Sequence, residues 1–443
     1  MNMIRRGFHL FFLFFFSNFH VFPFLPKSSS LFNIILFAVL GFYFIVFNIT
    51  PRLKRNCFSR VEVLADGCEL ILLAFFLMIA DLCFAIIFLP KTDYEPLAIV
   101  LSELGALVLF LIVLLSGVIR IIFASKQLSL IMKLALIFTW WVPLLNIFVF
   151  WYCFHIARHE YLFMLYREEL NESRKDNDVC KTKYPLLMVH GIFWRDWQIF
   201  NYWGRISKEL LRNGAVMYYG NQQSAAPMDV CASELKAQIL RILETEHCEK
   251  VNIIAHSKGG LDARYAISYL NAAPYVASLT TVGAPHRGCR LVDIAIKKIP
   301  ESLMKRIAKG YNAMYKKLGD KDPDLISGIN DLTTEQCDLF NEQVIDKKGV
   351  LYRSVASKMS GFSGAGFPLN VGYAILRRTD GDNDGFVSVE SAKWGIFLDC
   401  YETKGKQGVS HGDTIDLTRK NIKGFDACEC YIDIIKGLKN QGL

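Results

Sequence analysis

The sequence predicts an α/β fold, a mostly parallel sheet with flanking helices, preceded by an all-α transmembrane helical region. Three observations predict it. Apolar runs follow one another through the first third of the 443-residue chain, and beyond Tyr184 short apolar runs alternate with helical patterns. One of those short runs, VNIIAH, passes directly into the glycine-bearing helical stretch SKGGLDARYAISYL. A hydrophobic fraction of 52% and a mean hydropathy of +0.27 exceed what an ordinary soluble globule carries. The excess lies in the first third, so the two parts of the chain face different solvents.

Four stretches approach the ~20 apolar residues that a bilayer crossing needs. They are LFNIILFAVLGFYFIVFNI from Leu31, LILLAFFLMIADLCFAIIFL from Leu70, LAIVLSELGALVLFLIVLLSGVI from Leu97 and LALIFTWWVPLLNIFVFWYCF from Leu134, the last kinked by Pro143. The basic, phenylalanine-rich start MNMIRRGFHLFFLFFFSNFHVFPFLP fits a signal sequence, a fifth span or a mis-set translation start; no small-x-small cleavage site follows it, which favours an uncleaved span. Lys and Arg set the orientation. Arg52, Lys54, Arg55 and Arg60 mark one loop as cytoplasmic, Arg120 and Lys126 another, whereas KTDYEP from Lys91 carries acids. Counting crossings forward gives a multi-pass integral membrane protein with an extracytoplasmic catalytic domain. Asp81 and Glu103 fall toward one end of their spans and read as interfacial carboxylates rather than a transport site. The expected layout is a helical region over 1–170, a linker over 171–183 and a catalytic domain over 184–443.

Composition excludes other classes. The net charge of +8 is modest, and no basic run interleaved with aromatics offers a nucleic-acid surface. The basic balance suits residues flanking membrane spans, so the bilayer is the expected partner. None of the twelve cysteines forms a C-x-x-C pair, and Cys428-Glu429-Cys430 is too tight for a zinc knuckle. These thiols read as small core residues, with a disulfide or two only in an oxidising compartment.

In the second part, PLLMVH and VNIIAH read as buried strands, and SKELLRNG and ASELKAQILRILETEHCEK as helices. Ser257 therefore sits where a strand turns into a helix. A sharp turn there lifts the hydroxyl above the sheet, provided that small residues two positions either side let the backbones cross; here these are Ala255 and Gly259. The bland alternative is a serine in a tight glycine turn. A serine nucleophile needs a base, and the base an orienting acid, in the chain order Ser, acid, His. His190 and His247 precede the serine, His256 adjoins it, and His286 comes before any plausible acid, which leaves His411. The loop RTDGDNDGFVSVESAKWG, after the strand-like VGYAIL, offers Asp380, Asp382 and Asp384 as the acid; position alone does not choose among them, and the cluster also fits a calcium loop or a polar turn. The oxyanion would meet the amide of Lys258 and one near Gly191 and Ile192 in MVHGIFWRD.

These residues resemble the bacterial triacylglycerol lipases of the Pseudomonas and Burkholderia type, and more closely the clostridial-type lipases and esterases. The matching stretches are PLLMVHGI, FNYWGRI, VNIIAHSKGGLDARY, SLTTVGAPHRG, DLTTEQCDLFN, NDGFVSVESAKWG and SHGD, in family order, while ASKQLSL is similar to membrane-anchored clostridial relatives. The resemblance implies an α/β-hydrolase fold with a helical cap over about 290–346, and a serine carboxylic ester hydrolase working through an acyl-serine. It implies Ser257 as nucleophile, Asp384 as acid, His411 as base, and the amides of Ile192 and Lys258 as oxyanion hole. Asp413 matches one ligand of the family's structural calcium, although the second calcium carboxylate has no counterpart here. No organic cofactor is implied, and the substrate would be a lipid or another acyl ester. The same residues would serve an acyltransferase or deacylase on membrane lipids; a catalytically inert membrane interaction protein is disfavoured by the complete set of nucleophile, acid and base.

Overall fold

The computed structural model describes residues 8, 11, 35, 39, 41, 42, 60–88, 96–139, 141–196 and 201–443, and the chain divides into two units, Met1–Leu170 and Asn171–Leu443. The expected N-terminal span and the Leu31 span lie almost wholly outside the described residues, as do Arg52, Lys54, Arg55 and the KTDYEP loop except for Pro96.

Two long helices dominate the first unit, α1 (Arg60–Phe88) and α2 (Pro96–Ala124). Both are long and apolar enough to cross a membrane. Leu72, Phe76, Ile79 and Ile86 on α1 stay exposed, and so do Leu104, Leu107, Leu111 and Leu115 on α2. Exposed apolar stripes of this length are costly in water and matched to lipid. The two helices approach closely because both carry glycine at the contact: a Cβ on Gly117 would lie 2.9 Å from the Gly67 carbonyl oxygen. Asp81 and Glu103 line one cavity of about 300 Å³ between these helices.

The stretch from Leu134 does not run as one helix. It breaks into α3 (Leu130–Phe138) and α4 (Pro143–Arg174), joined by a tight turn. Pro143 has no N–H to continue a helix and disfavours helical geometry in the residue before it. Side chains then satisfy the freed groups: Asn146 donates to the Leu136 carbonyl at 3.4 Å and to the Thr139 hydroxyl at 3.1 Å. The two helices run back along each other. Asn146 meets Leu136 at the turn, Cys153 approaches the Met132 carbonyl, and Glu160 reaches the amides of Lys126 and Gln127, both at 3.2 Å. Glu160 is 1% exposed; it also accepts from Ser125 at 2.7 Å and pairs with Arg60 at 2.5 Å. Arg60 in turn donates to the Ala124 carbonyl at 2.7 Å. The hairpin therefore returns to the end of the helices that carries Arg60 and Lys126. A hydropathy window counts apolar residues but not a reversal of direction. Because this stretch reverses direction, it does not count as one straight crossing, and the parity count that expected an extracytoplasmic domain is not supported. Helix α4 continues to Arg174, so residues 171–174 of the expected linker are helical.

The second unit is built on six parallel strands in the order β2-β1-β3-β4-β5-β6. The strands are β1 (Leu186–Val189), β2 (Met217–Tyr219), β3 (Val251–His256), β4 (Val276–Val282), β5 (Leu351–Ser357) and β6 (Ile396–Tyr401). Successive side chains point to opposite faces, and because helices cover both faces the central strands β1, β3 and β4 are buried along their whole length. Leu186 and Met188 pack with α5 (Ile206–Arg212) and the C-terminal α14 (Ala427–Asn440); Leu187 and Val189 pack with α6 (Met228–Glu246) and α7 (Lys258–Ser268). Burying one such leucine contributes roughly 1.5–3 kcal/mol. This is the α/β-hydrolase arrangement.

Four helices intervene between β4 and β5: α8 (Arg290–Lys298), α9 (Glu301–Lys317), α10 (Leu325–Asn330) and α11 (Thr334–Gln343). Their inner faces share a cluster with Ile192 and Leu261 through Val292, Ala308, Leu325 and Phe340. VGYAIL is helical rather than strand-like, within α12 (Leu369–Thr379). Gly372 and Leu376, four residues apart, are its buried positions, which is helix spacing that the short apolar run concealed. The short α13 (Val389–Ala392) precedes β6.

Candidate active site

Strand β3 ends at His256 and α7 starts at Lys258, so Ser257 is the single residue that turns the chain. It does so at φ 55°, ψ −133°, a strained backbone for a residue with a side chain, which costs on the order of 1–3 kcal/mol. Its amide donates to the Val282 carbonyl at 3.1 Å, which ties the turn to β4. Only glycine fits on both sides of the crossing. A Cβ on Gly259 would strike the His190 carbonyl oxygen, and one on Gly191 would lie 2.7 Å from the Ser257 Cβ.

The loop before Thr414 brings His411 over this turn. Its Nε2 lies 3.0 Å from Ser257 Oγ, and its Nδ1 lies 2.8 Å from Asp384 Oδ2. A carboxylate can only accept, so Nδ1 carries the ring proton and Nε2 is free to accept from the serine. The other Asp384 oxygen accepts from the amides of Phe386 at 2.9 Å and Val387 at 2.7 Å, and its carbonyl accepts from the His411 amide at 2.9 Å. The two other aspartates of that loop are engaged elsewhere: Asp380 pairs with Arg290 at 3.2 Å, and Asp382 pairs with Arg377 and Lys358.

Ile192 and Lys258 flank the serine. The Gly191 amide donates to the Tyr202 hydroxyl at 3.0 Å and the Phe193 amide to the Ser224 carbonyl at 3.0 Å, while the intervening Ile192 amide has no partner among the described residues. Lys258 is the first residue of α7, where a helix leaves its amide unpaired. Sequence reasoning used only that amide, but the side chain is buried as well: its ammonium pairs with Asp262 at 2.6 Å and lies 3.9 Å from Asp331 beside the cap. Burial opposes the charge, yet Asp262, Cys231 and Asp331 outweigh it and hold the ammonium protonated. The end of α9 and the turn after it also grip the loop that carries Ile192. Tyr315 donates to the Phe193 carbonyl at 2.5 Å, and buried Asp320 accepts from Arg195 at 2.6 Å and from the Ser224 hydroxyl at 2.6 Å.

The other histidines weighed as bases lie elsewhere. His190 meets the carbonyls of Gly191 and Gln222, His247 ends α6 in a left-handed turn, and His286 meets the Thr281 hydroxyl and stacks on Trp394. His256 adjoins the serine in sequence. It points away from Ser257 Oγ, yet its ring lies against His411, centroids 4.5 Å apart, and bridges Tyr202 and Thr414. Burial, then the neighbouring His411, pushes its pKa well below the usual imidazole range, so the ring is neutral.

The calcium expectation fits poorly. Asp413 Oδ2 accepts from the Ser410 amide at 3.0 Å and hydroxyl at 2.6 Å, and Asp416, three residues on, is held by the Arg205 guanidinium at 2.8 Å. Among the described residues no three His, Cys, Asp or Glu side chains gather to hold a metal. The eleven described cysteines are free thiols.

The chain is similar to known esterases and lipases. A family model described as "Putative serine esterase (DUF676)" matches residues 185–318. The triacylglycerol lipase of Pseudarthrobacter phenanthrenivorans is 31% identical over 172 residues, 36% of this chain and 53% of the relative. That of Burkholderia plantarii is also 31% identical over 172 residues, 36% of this chain and 48% of the relative. The chain thus spans about half the length of these curated relatives. Among solved structures, the mature lipase BlEst2 of Bacillus licheniformis is similar at 22% identity and a TM-score of 0.44, over 57% of this chain and 92% of that one.

Proposed function

We propose that the protein is a serine carboxylic ester hydrolase that cleaves lipid or other acyl esters through an acyl-enzyme on Ser257. The observation that carries this reading is the line of contacts from Ser257 Oγ through His411 to Asp384, at 3.0 and 2.8 Å. His411 Nε2 takes the hydroxyl proton as Ser257 Oγ attacks the ester carbonyl. Asp384 keeps the ring proton on Nδ1 and stabilises the imidazolium that forms. The amides of Ile192 and Lys258 receive the negative oxygen of the tetrahedral intermediate; one such donor contributes about 10²–10³ in rate. Collapse expels the alcohol, which takes its proton from His411. Water, activated by the same imidazole, then releases the acid and frees Ser257. In this reading Asn171–Leu443 is the catalytic unit and residues 290–346 are its cap.

The test is turnover of p-nitrophenyl butyrate by the full chain in detergent. Ser257→Ala and His411→Ala should each reduce kcat by about 10⁴-fold or more. Turnover that survives Ser257→Ala would remove the nucleophile assignment.

We further propose that α1 and α2 cross a bilayer and that the catalytic unit lies on its cytoplasmic face. Glu160 binds Arg60 and the Lys126 amide at one end of the helices, and the chain continues from that end along α4. That end carries the basic residues, which favours the cytoplasm. Protease added to sealed inverted membrane vesicles should cut beyond residue 175; cutting only in right-side-out vesicles would reverse the orientation.

A further inference from the structure

Three buried side chains outside the Ser257–His411–Asp384 line connect the loop that carries Ile192 to the backbone of His411. The Tyr202 hydroxyl accepts from the Gly191 amide at 3.0 Å and lies 2.6 Å from His256 Nδ1. On the other side of the ring, His256 Nε2 lies 3.1 Å from Thr414 Oγ1, which donates to the His411 carbonyl at 2.7 Å. Tyr202, His256 and Thr414 are 3%, 1% and 1% exposed. The proton count admits one arrangement. The Thr414 hydroxyl hydrogen is committed to the His411 carbonyl, so Oγ1 must accept from Nε2–H. A neutral ring then has a bare Nδ1, which accepts from the Tyr202 hydroxyl, whose oxygen in turn accepts from Gly191. Every donor and acceptor along the path is used in one direction. The path begins one residue before the Ile192 amide and ends on the backbone of the base.

We infer that Tyr202, His256 and Thr414 are positioning residues that lock the oxyanion-binding loop and the His411 loop to each other, setting the oxyanion donor and the base in register around Ser257. They touch no reacting atom. Their effect arises because the two loops come from opposite ends of the catalytic unit and must agree within fractions of an ångström for the attack geometry to hold. Burial strengthens the path, since a polar group left unpaired there has no water to turn to. The sequence places a histidine directly before the nucleophile, and the relay gives that position a reason: it lets an imidazole stand behind the elbow, reaching to both sides at once.

The inference rests on Ser257 being the nucleophile, and the experiment separates the two. Tyr202→Phe and Thr414→Val keep shape and remove one hydroxyl each. In the full chain in detergent, each should lower kcat for p-nitrophenyl butyrate by about 10- to 100-fold, with KM changed less than about threefold. Thr414→Ser, which keeps the hydroxyl, should restore most of the rate. Because the path acts as a unit, Tyr202→Phe combined with Thr414→Val should be little slower than the slower single variant. Singles within about twofold of the parent, equal losses in Thr414→Ser and Thr414→Val, or losses that multiply in the double variant would each overturn the relay. Histidine ¹⁵N spectra read the wiring independently of turnover: His256, assigned by its disappearance in His256→Gln, should be a neutral ring protonated on Nε2. A proton on Nδ1 overturns the relay whatever the activity. Ser257-independent turnover, by contrast, would overturn the proposed function and leave the ring proton to decide the relay.

Discussion

On the long helices of the first unit many outward side chains are apolar, with Phe76 at 60% and Ile86 at 67% exposed, and a buried carboxylate, Glu160, is held at one end of these helices beside Arg60. In the second unit several charges go inward. Lys258 and Asp262 pair in the interior, Asp320 collects Arg195 and Ser224, and the Arg264 guanidinium lies 3.6 Å over the Trp394 ring. The difference teaches where each unit can place polarity. Helices α1 and α2 turn apolar side chains outward and leave Glu160 and Arg60 to pair at one end, whereas the second unit buries ion pairs where geometry supplies their partners.

The largest expected effect lies in the catalytic unit. Asp384→Asn should keep the fold and remove the acceptor for His411 Nδ1–H, lowering kcat by about 10⁴-fold; a variant within tenfold of the parent would mean that the carboxylate orients nothing. Next comes acid sensitivity. His256 and His286 are both held below the usual imidazole range, by burial first, so below about pH 6.5 the unfolded chain binds protons that the folded one refuses. Stability should therefore fall as pH falls through that window, with a slope approaching about 1.4 kcal/mol per pH unit for each ring. Denaturant titrations at pH 7 and pH 5, followed by tryptophan fluorescence, check it, and His286→Gln should flatten the slope.

A smaller effect belongs to the helical unit. Glu160→Ala would strip partners from Ser125 and from the amides of Lys126 and Gln127, a loss of about 1–3 kcal/mol. Arg60 stays partly in solvent and adds little to that figure. A melting curve in detergent unchanged by Glu160→Ala would show that the hairpin is not held from this end. Smallest of all is the effect of chelation: with Asp413 already engaged by Ser410, excess EDTA should change turnover by less than about twofold, whereas a loss restored by calcium alone would reinstate the metal.

What was legible in the sequence was local. The passage from β3 through Ser257 into α7 is written in adjacent residues, with Ala255 and Gly259 sized for the crossing, and the alternation of strands and helices followed from apolar runs and their spacing. Choosing among Asp380, Asp382 and Asp384 was beyond spacing, because the choice depends on how a loop folds around the amides of Phe386 and Val387; the resemblance pointed to Asp384, and that carboxylate lies 2.8 Å from His411. The stretch from Leu134 misled because apolarity carries no sign of direction, although Thr139, Pro143 and Asn146 were the marks of a turn. VGYAIL misled because six apolar residues fit a strand and a helix alike. The relay through His256 joins residues 54 and 158 positions apart, and such partners are not written in any local pattern.

The reactivity of Ser257 is most directly tested by labelling the full chain with a fluorophosphonate and mapping the adduct by mass spectrometry. The account predicts one modified serine, residue 257, with labelling abolished in Ser257→Ala and slowed at least a hundredfold, roughly, in His411→Ala. An unlabelled parent chain, or a label that persists in Ser257→Ala, would contradict it.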